Sequence, residues 1–308
     1  MKKGRVIKST GNLYLVECKG NELINCKISG KYRLQNMDIT NPVAVGDLVE
    51  CKINELDSQW TIIKIEKRKN YIIRKSSNLS KQAQIIASNV DLAFLIVTIE
   101  YPQTHEAFID RFLASAEAYN IPVILIFNKI DLYNSKQKER LKKLKPIYEK
   151  IGYQCIELSA INLIDIENFK NIMKDKINVI CGNSGVGKST FINRISPGLS
   201  LKTNNISNYH NKGKHTTVFS EMFPLPSGGF AIDTPGIKGF GLFDFSKNEI
   251  FHFYPEIFKV SVNCRFNNCL HINEPGCAVL TAVENEDIAE SRYKSYSDIF
   301  FENSNKHR

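Results

Sequence analysis

The 308-residue sequence predicts a multidomain α/β protein with a small N-terminal β-barrel, a central α/β domain and a short helical C-terminal region. Up to about residue 66, apolar and polar residues alternate as in half-buried strands. From residue 90, near-continuous apolar runs alternate with amphipathic stretches of helix length, the pattern of a parallel sheet covered on both faces. Three cysteines and a histidine then lie within fourteen residues near the C-terminus.

The first segment is predicted to form a barrel. Ile24, Cys26 and Ile28 alternate with Asn25 and Lys27, and short runs of this kind are separated by polar turns without helical periodicity. Among small closed barrels that bind RNA the OB-fold is the commonest, so we expect an OB-fold RNA-binding barrel at 1–68. An SH3-like or other packing barrel without a ligand is the alternative.

The charge balance favours an anionic partner. The chain has 41 Lys and Arg against 32 Asp and Glu, a formal charge of +9, which does not choose between RNA, DNA and an anionic membrane. Residues 67–78, KRKNYIIRKSSN, carry five basic side chains and no acidic one, which suits contact with a phosphate backbone. A solvated segment has the same composition. We expect a basic linker at 69–89.

The sequence carries no sign of secretion or membrane insertion. It has no run of 18 apolar residues, and its first ten residues, MKKGRVIKST, lack the apolar stretch of a signal peptide. We therefore expect a cytoplasmic protein with no membrane partner.

A phosphate-binding loop is predicted between the apolar run INVIC and the helix-like TFINRI. Its glycines let backbone N–H groups wrap the phosphates, Lys188 would neutralise the β and γ oxygens as part of the catalytic set, and the Ser189 hydroxyl would ligate Mg²⁺. The residues expected to contact nucleotide here are Gly182, Asn183, Ser184, Gly185, Val186, Gly187, Lys188, Ser189 and Thr190.

A second element of the site is predicted where the strand-like GGFAI ends in Asp233-Thr234-Pro235-Gly236. Asp233 would serve Mg²⁺ and its water shell, and the Gly236 N–H would meet the γ-phosphate. A plain turn is the alternative, because Pro-Gly is a turn pair. Its place after a phosphate loop favours the nucleotide role.

Base recognition is assigned to Asn128-Lys129-Ile130-Asp131. Asn128 and Asp131 would give base choice, because a carboxylate can accept from both the ring N–H and the exocyclic amine of guanine, whereas adenine lacks this pair of donors. Lys129 would pack its stem along the base. Ser159-Ala160, one strand and one helix later, would supply a backbone N–H to the guanine oxygen, although that dipeptide alone is common. GTP and GDP are thus the expected ligands.

These segments stand in an unusual order, with base recognition before the phosphate loop. In a parallel sheet the loops at the carboxyl ends of the strands form the site whatever the order of strands in the sequence. Domain termini also lie close together, which permits circular permutation. The order therefore predicts a circularly permuted nucleotide domain.

The C-terminal cluster Cys264-x4-Cys269-x-His271-x5-Cys277 offers three thiolates and one imidazole, a closed tetrahedral set for one structural Zn²⁺. A redox pair or free thiols are the alternative. The other five cysteines sit singly in apolar segments and are expected to act as small buried hydrophobes: Cys18, Cys26, Cys51, Cys155 and Cys181.

Taken together, the barrel, NKID, SA, GNSGVGKST, GKHTT, DTPG and the cysteine-histidine end resemble the circularly permuted small-ribosomal-subunit-dependent GTPases, the RsgA or YjeQ family, across nearly the whole chain. The resemblance implies an OB-fold at 1–68, a permuted GTPase domain at 90–243 and a zinc-binding domain at 244–308. It also implies Mg-dependent GTP hydrolysis stimulated by the small ribosomal subunit during late maturation, with that subunit and its rRNA as partners. We expect a monomer.

One position departs from the family pattern. Gly-Arg-His-Thr-Thr is replaced here by GKHTT at 213–217, and Lys214 is a point charge that cannot make the bidentate contacts of an arginine.

The water-orienting group of hydrolysis is expected in the same loop. Ras-type switches place a glutamine directly after Asp-x-x-Gly, but Ile237 stands there, so hydrolysis by the isolated protein should be slow. His215 is the nearest candidate, and Thr216 or Thr217 would reach Mg²⁺. A solvent-exposed histidine in a loop is the alternative.

Two other functions stay open on the sequence. One is a permuted GTPase that works on another RNA or at an acidic membrane. The other is a nucleotide-sensing RNA-binding module with negligible turnover. Hydrolysis measured with and without small subunits distinguishes them.

Overall fold

The computed structural model describes residues 1–29, 42–54, 58–75, 83–160, 162–197, 220–233 and 245–302. Within these ranges no helix is both long enough and apolar enough to cross a membrane. The chain forms a barrel, an α/β domain and a helical C-terminal region, each with its own cluster of buried apolar side chains.

The N-terminal region is a closed five-stranded barrel. Its strands are β1 (Lys2–Ser9), β2 (Tyr14–Cys18), β3 (Leu23–Ile28), β4 (Leu48–Ile53) and β5 (Trp60–Ile65). They follow the order β1-β2-β3-β5-β4, and β4 pairs back with β1. Only β3 and β5 are parallel among these pairs. This arrangement confirms the OB-fold expectation.

The expected basic linker at 69–89 is instead largely a β-hairpin. Strands β6 (Tyr71–Lys75) and β7 (Ala83–Ser88) pair antiparallel, with Ile72 opposite Ala87. Both segments carry apolar residues that pack into the core of the α/β domain, and burial of that surface stabilises the hairpin. The basic composition of the segment favoured a solvated linker, although its apolar residues are buried.

A buried carboxylate joins the hairpin to the barrel. Asp47 is fully buried and accepts hydrogen bonds from Arg68 Nε and Nη2, both at 2.7 Å, and from Ser88 Oγ at 2.6 Å. Arg68 Nη2 also donates to the Pro42 carbonyl at 2.6 Å. Arg68 is therefore committed to the fold, and this member of the basic run is not available to a phosphate.

The α/β domain is built on six strands. They are β8 (Leu92–Val97), β9 (Val123–Asn128), β10 (Gln154–Leu158), β11 (Ile177–Cys181), β12 (Glu221–Pro224) and β13 (Phe230–Asp233), in the order β10-β9-β8-β11-β13-β12. All neighbours are parallel except β12, which is antiparallel to β13. The carboxyl ends of five strands therefore meet at one edge.

Helices cover both faces of this sheet. They are α1 (Glu106–Ala118), α2 (Ser135–Ile151), α3 (Leu163–Met173) and α4 (Lys188–Ile195), with a 3₁₀ turn at Ile130–Leu132. Helices α1 and α2 share one buried cluster with the hairpin, and α3 and α4 share the other. Continuous apolar strands such as VILIFN, buried at all six positions, follow from this double cover.

The C-terminal region contains a 3₁₀ segment at Lys247–Phe253, then α5 (Pro255–Ser261), α6 (Ala278–Glu284) and α7 (Glu290–Glu302). Its core also includes Ala114 of α1, so this region packs directly on the α/β domain. Across that contact, the fully buried Arg292 donates to Asp110 Oδ1 at 2.9 Å and to Glu256 Oε1 at 2.7 Å.

Candidate nucleotide site and metal cluster

The phosphate loop joins β11 to α4, as the sequence predicts. Gly182, Gly185 and Gly187 have φ values of 142°, 84° and 106°, which side-chain-bearing residues rarely adopt. A Cβ on Gly182 would lie 2.4 Å from the Ile96 carbonyl oxygen, and one on Gly187 would lie 2.4 Å from Asn128 Nδ2. The loop therefore requires glycine both for its conformation and for its close contacts.

Lys188 begins α4 and folds back over the loop. Its Nζ donates to the carbonyls of Gly182 and Asn183, both at 2.7 Å. The ammonium group is thus held against the start of the loop. The first turn of α4, where unpaired N–H groups favour anions, follows the loop directly. Ser189 and Thr190 lie half-buried in that turn.

Asn128, at the end of β9, joins the phosphate loop to the segments predicted to bind the base. Its buried amide donates from Nδ2 to the Val186 carbonyl at 2.8 Å and accepts at Oδ1 from the Ala160 N–H at 3.0 Å. One short side chain therefore fixes three loops. Of the Ser159-Ala160 pair, predicted to supply a backbone N–H to the guanine oxygen, Ala160 donates its N–H to Asn128 in this structure.

Lys129 also links this segment to the phosphate loop. It has a left-handed backbone with φ of 65°, and its Nζ donates to the Gly185 carbonyl at 2.7 Å and to the Tyr101 carbonyl. Burial lowers the pKa of Lys129, and the nearby Asp131 opposes that shift. Asp131 itself lies exposed in the 3₁₀ turn together with the half-buried Ile130, so its carboxylate is accessible to a ligand.

Two supporting groups were not anticipated from the sequence. The Tyr133 hydroxyl donates to the Asn128 carbonyl at 2.7 Å and accepts from the Ile99 N–H at 2.8 Å, and burial raises its pKa to about 12. Pro102 lies 3.2 Å from the position of a Cβ on Gly185. The loop that contains Pro102 follows β8 at the ligand-binding edge of the sheet. Its position directly after a predicted strand could have indicated that it lies at the site.

The remaining predicted residues are only partly described. Asp233 ends β13, where its backbone pairs with Ile180 of β11 directly before the phosphate loop. Gly236 and Ile237 lie outside the described residues, as do the loop candidates His215, Thr216 and Thr217.

The four predicted metal ligands converge. Their candidate ligand atoms all lie within 4.8 Å of one another. His271 Nδ1 is 3.5 Å from the sulfurs of both Cys264 and Cys277, and those two sulfurs are 3.9 Å apart. Zinc bonded tetrahedrally to sulfur at about 2.3 Å requires sulfur atoms about 3.8 Å apart. Cys269 Sγ completes the set.

The chemistry of the cluster also suits a cation. Burial raises the pKa of Cys269 to about 12 and raises that of Cys277, which disfavours thiolates unless a positive charge is present. Burial lowers the pKa of His271, which favours the neutral imidazole that binds metals. The four residues therefore fit a structural Zn²⁺, which takes four ligands of this kind.

A carboxylate organises the loop that carries these ligands. Glu274 accepts from the N–H groups of Leu270 at 2.7 Å, Ile272 at 2.8 Å and Asn273 at 3.0 Å. Tyr293 Oη donates to the His271 carbonyl at 2.8 Å. These bonds hold the left-handed backbone of His271, with φ of 60°, in place.

Comparison with known proteins agrees with this architecture. Residues 65–243 match the family described as RsgA GTPase, and residues 3–60 match the RsgA N-terminal domain. The "Small ribosomal subunit biogenesis GTPase RsgA" of Bacteroides fragilis (strain YCH46) is 53% identical over 294 residues, covering 96% of this chain and 94% of that protein.

Two crystal structures share the whole fold. YjeQ from Thermotoga maritima superimposes with a TM-score of 0.78 at 33% identity, covering 98% of each chain. YloQ, described as a circularly permuted GTPase, gives 0.74 at 27% identity, covering 99% of this chain and 96% of its own. Since a family match spans most of the chain and a relative half identical to it spans nearly all, this chain belongs to the RsgA GTPase family.

Proposed function

We propose that this chain hydrolyses GTP to GDP and phosphate with Mg²⁺ and acts in the late maturation of the small ribosomal subunit. The observation that carries the GTPase assignment is Asn128, whose amide joins the phosphate loop to the base-reading loops at one sheet edge. The assignment to the ribosome is supported by family membership and by the relatives' names.

The chain's own groups would bind and orient GTP. The phosphate-loop N–H groups and Lys188 would hold the β- and γ-phosphates, Ser189 and Asp233 would take part in holding Mg²⁺, and the exposed Asp131 would accept from guanine. Mg²⁺, when held there, would supply positive charge against the charge that develops on the phosphates. Lys188 already lies over the loop, so binding would exchange two carbonyl acceptors for phosphate oxygens.

The partner would be the small ribosomal subunit and its rRNA, met by a monomer in the cytoplasm. The barrel and the basic segment after it are the proposed RNA contacts, supported by the OB-fold and the +9 charge. Arg68 is excepted because Asp47 holds it. Cys264, Cys269, His271 and Cys277 would hold one structural Zn²⁺ that organises the C-terminal domain.

His215 is the proposed water-positioning residue. Replacing His215 with alanine should leave GTP affinity and small-subunit binding near wild type and abolish the subunit-stimulated rate, as expected for a contact made only in the transition state. Single-turnover hydrolysis with saturating subunits measures this. Stimulation to the wild-type rate in the variant would instead assign the water to the ribosome or to backbone groups.

The function is tested by GTP hydrolysis with and without small subunits, together with nucleotide-dependent co-sedimentation. Stimulation by small subunits and co-sedimentation with a GTP analogue are the expected results. Stimulation only by another RNA or by anionic lipid would indicate that this GTPase acts on that RNA or at a membrane instead. No turnover under any condition would make it a nucleotide-sensing binding module.

A further inference from the structure

Helix α2 carries a large share of the chain's positive charge. Its 17 residues include seven basic side chains and two acidic ones. The formal net charge of the helix is therefore +5, compared with +9 for the whole chain. The helix lies on the same side of the sheet as the β6–β7 hairpin, because both pack into one buried cluster.

Part of this charge has no ion-pair partner among the residues that the structure describes. Four basic side chains of α2 bind an acidic side chain or a carbonyl: Arg140, Lys143, Lys145 and Lys150. Lys136, Lys138 and Lys142 are exposed, and in the described part of the chain none of them has a carboxylate within 4.0 Å. These three ammonium groups are free to meet an external anion.

Helix α2, which bears these lysines, is packed against the α/β domain and capped at its N-terminus. Leu141, Leu144 and Tyr148 are buried on its inner side, and Asn134 with Gln137 forms a capping box at its start. Lys138 and Lys142 are four residues apart and therefore lie about 6 Å apart along the axis on adjoining turns. Lys136, two residues before Lys138, lies about half a turn closer to the start of the helix.

The chemistry of this face favours nucleic acid over protein. No large apolar side chain of α2 is strongly exposed. Protein interfaces are depleted in lysine and depend on apolar or aromatic anchors, whereas nucleic-acid interfaces are polar and strongly positive. Lysine contacts phosphate as a point charge without reading sequence.

We propose that the outer face of α2 is a docking surface for the phosphate backbone of RNA, with Lys136, Lys138 and Lys142 as its contacts. The inference rests on the proposed function and deepens it, since the RNA would be that of the small subunit. Because α2 begins four residues after Asp131, the surface places bound RNA next to the base-reading turn.

The test uses the full chain loaded with a non-hydrolysable GTP analogue. Its binding to small subunits, and separately to protein-free small-subunit rRNA, is measured across a KCl series. The triple variant Lys136→Gln, Lys138→Gln, Lys142→Gln is compared with Lys170→Gln, Lys174→Gln, Lys176→Gln, which removes the same charge from α3 and from the segment that joins it to β11. Circular dichroism and GTP affinity check the folding of both, and a triple Lys→Arg variant at the α2 positions retains the charge.

We expect the α2 glutamine variant to bind both targets ~10–100-fold more weakly at 0.1 M salt, with the slope of log K against log salt reduced by about two to three. The control and the arginine variant should bind as wild type. Wild-type affinity and slope in the α2 variant, or an equal loss in the control, overturn the proposal. A loss with subunits but not with free rRNA assigns the surface to a ribosomal protein instead. If the wild-type protein binds free rRNA but not small subunits, the proposed function is wrong. The affinities of the wild-type protein and the α2 variant for free rRNA then still show whether α2 binds RNA.

Discussion

Asn128 uses its amide to connect loops from three strands, with its donor on Val186 and its acceptor on Ala160. Asp131, three residues later, is exposed and has no such commitment within the described residues. The two polar ends of the NKID segment therefore differ. Asn128 holds the loops together, whereas the Asp131 carboxylate is accessible, as its proposed role in base recognition requires.

Asp131→Asn should weaken GTP binding by about 1–3 kcal/mol, because the carboxylate proposed to accept from guanine becomes a mixed donor and acceptor. Xanthosine triphosphate, which has a carbonyl where guanine has its amine, should gain affinity. Isothermal titration with both nucleotides measures the exchange, and Asp298→Asn, an exposed position in α7, is the matched control. Unchanged GTP affinity would remove Asp131 from base recognition.

Tyr133→Phe tests the support beneath this segment. The change keeps the ring and removes a buried hydroxyl that serves both the Asn128 carbonyl and the Ile99 N–H. We expect a loss of about 1–3 kcal/mol in stability, from two unsatisfied backbone groups, and weaker GTP binding. Denaturant unfolding and nucleotide titration check both effects. Wild-type values in both would show that the bridge contributes nothing.

Helix α1 packs against the C-terminal region. It makes two ion pairs to α7 of very different character. Asp110 meets Arg292 with both side chains almost completely buried, and Ser295 Oγ adds a hydrogen bond to Asp110 at 2.6 Å. Arg111 meets Glu302 at 2.6 Å, but their side chains are 39% and 52% exposed, so water competes for this pair.

Arg292→Met should destabilise the contact between α1 and α7 by about 3–5 kcal/mol, because Asp110 and Glu256 would be left as buried charges without their cation. Arg111→Met removes a cation from the same helix pair and should cost about 1 kcal/mol or less. Native-state hydrogen exchange of α7 measures both. Equal loss of protection in the two variants would contradict the role of burial.

At the scale of the whole molecule, the metal cluster is expected to determine whether the C-terminal domain folds. Replacing Cys269 with serine should abolish bound zinc and unfold this region, while nucleotide binding survives because the α/β domain has its own core. Cys155→Ser, in the half-buried strand β10, is the control. Metal analysis of freshly purified protein should find one zinc per chain, and finding none in wild type would refute the site.

The sequence alone determined the features that depend on neighbouring residues. Alternation in the first segment predicted the barrel, continuous apolar runs predicted the parallel sheet, and Gly187-Lys188-Ser189 after a strand predicted the phosphate loop. The spacing from Cys264 to Cys277 predicted the converging ligands. Local geometry imposes these patterns, because strand pleat, left-handed turns and ligand reach are set within a few residues.

Only the tertiary structure decided which groups support the site and join the domains. Asn128 and Val186 are 58 positions apart in sequence, and Asp110 and Arg292 are 182 apart, so no local pattern could pair them. The 69–89 segment carries basic residues that suggested a linker, yet its apolar residues form a hairpin against the core. The hairpin forms because removing its apolar surface from water stabilises the fold more than a few charges gain from solvent. The side chains that cover this surface come from distant parts of the chain, so the sequence of the segment alone does not show them.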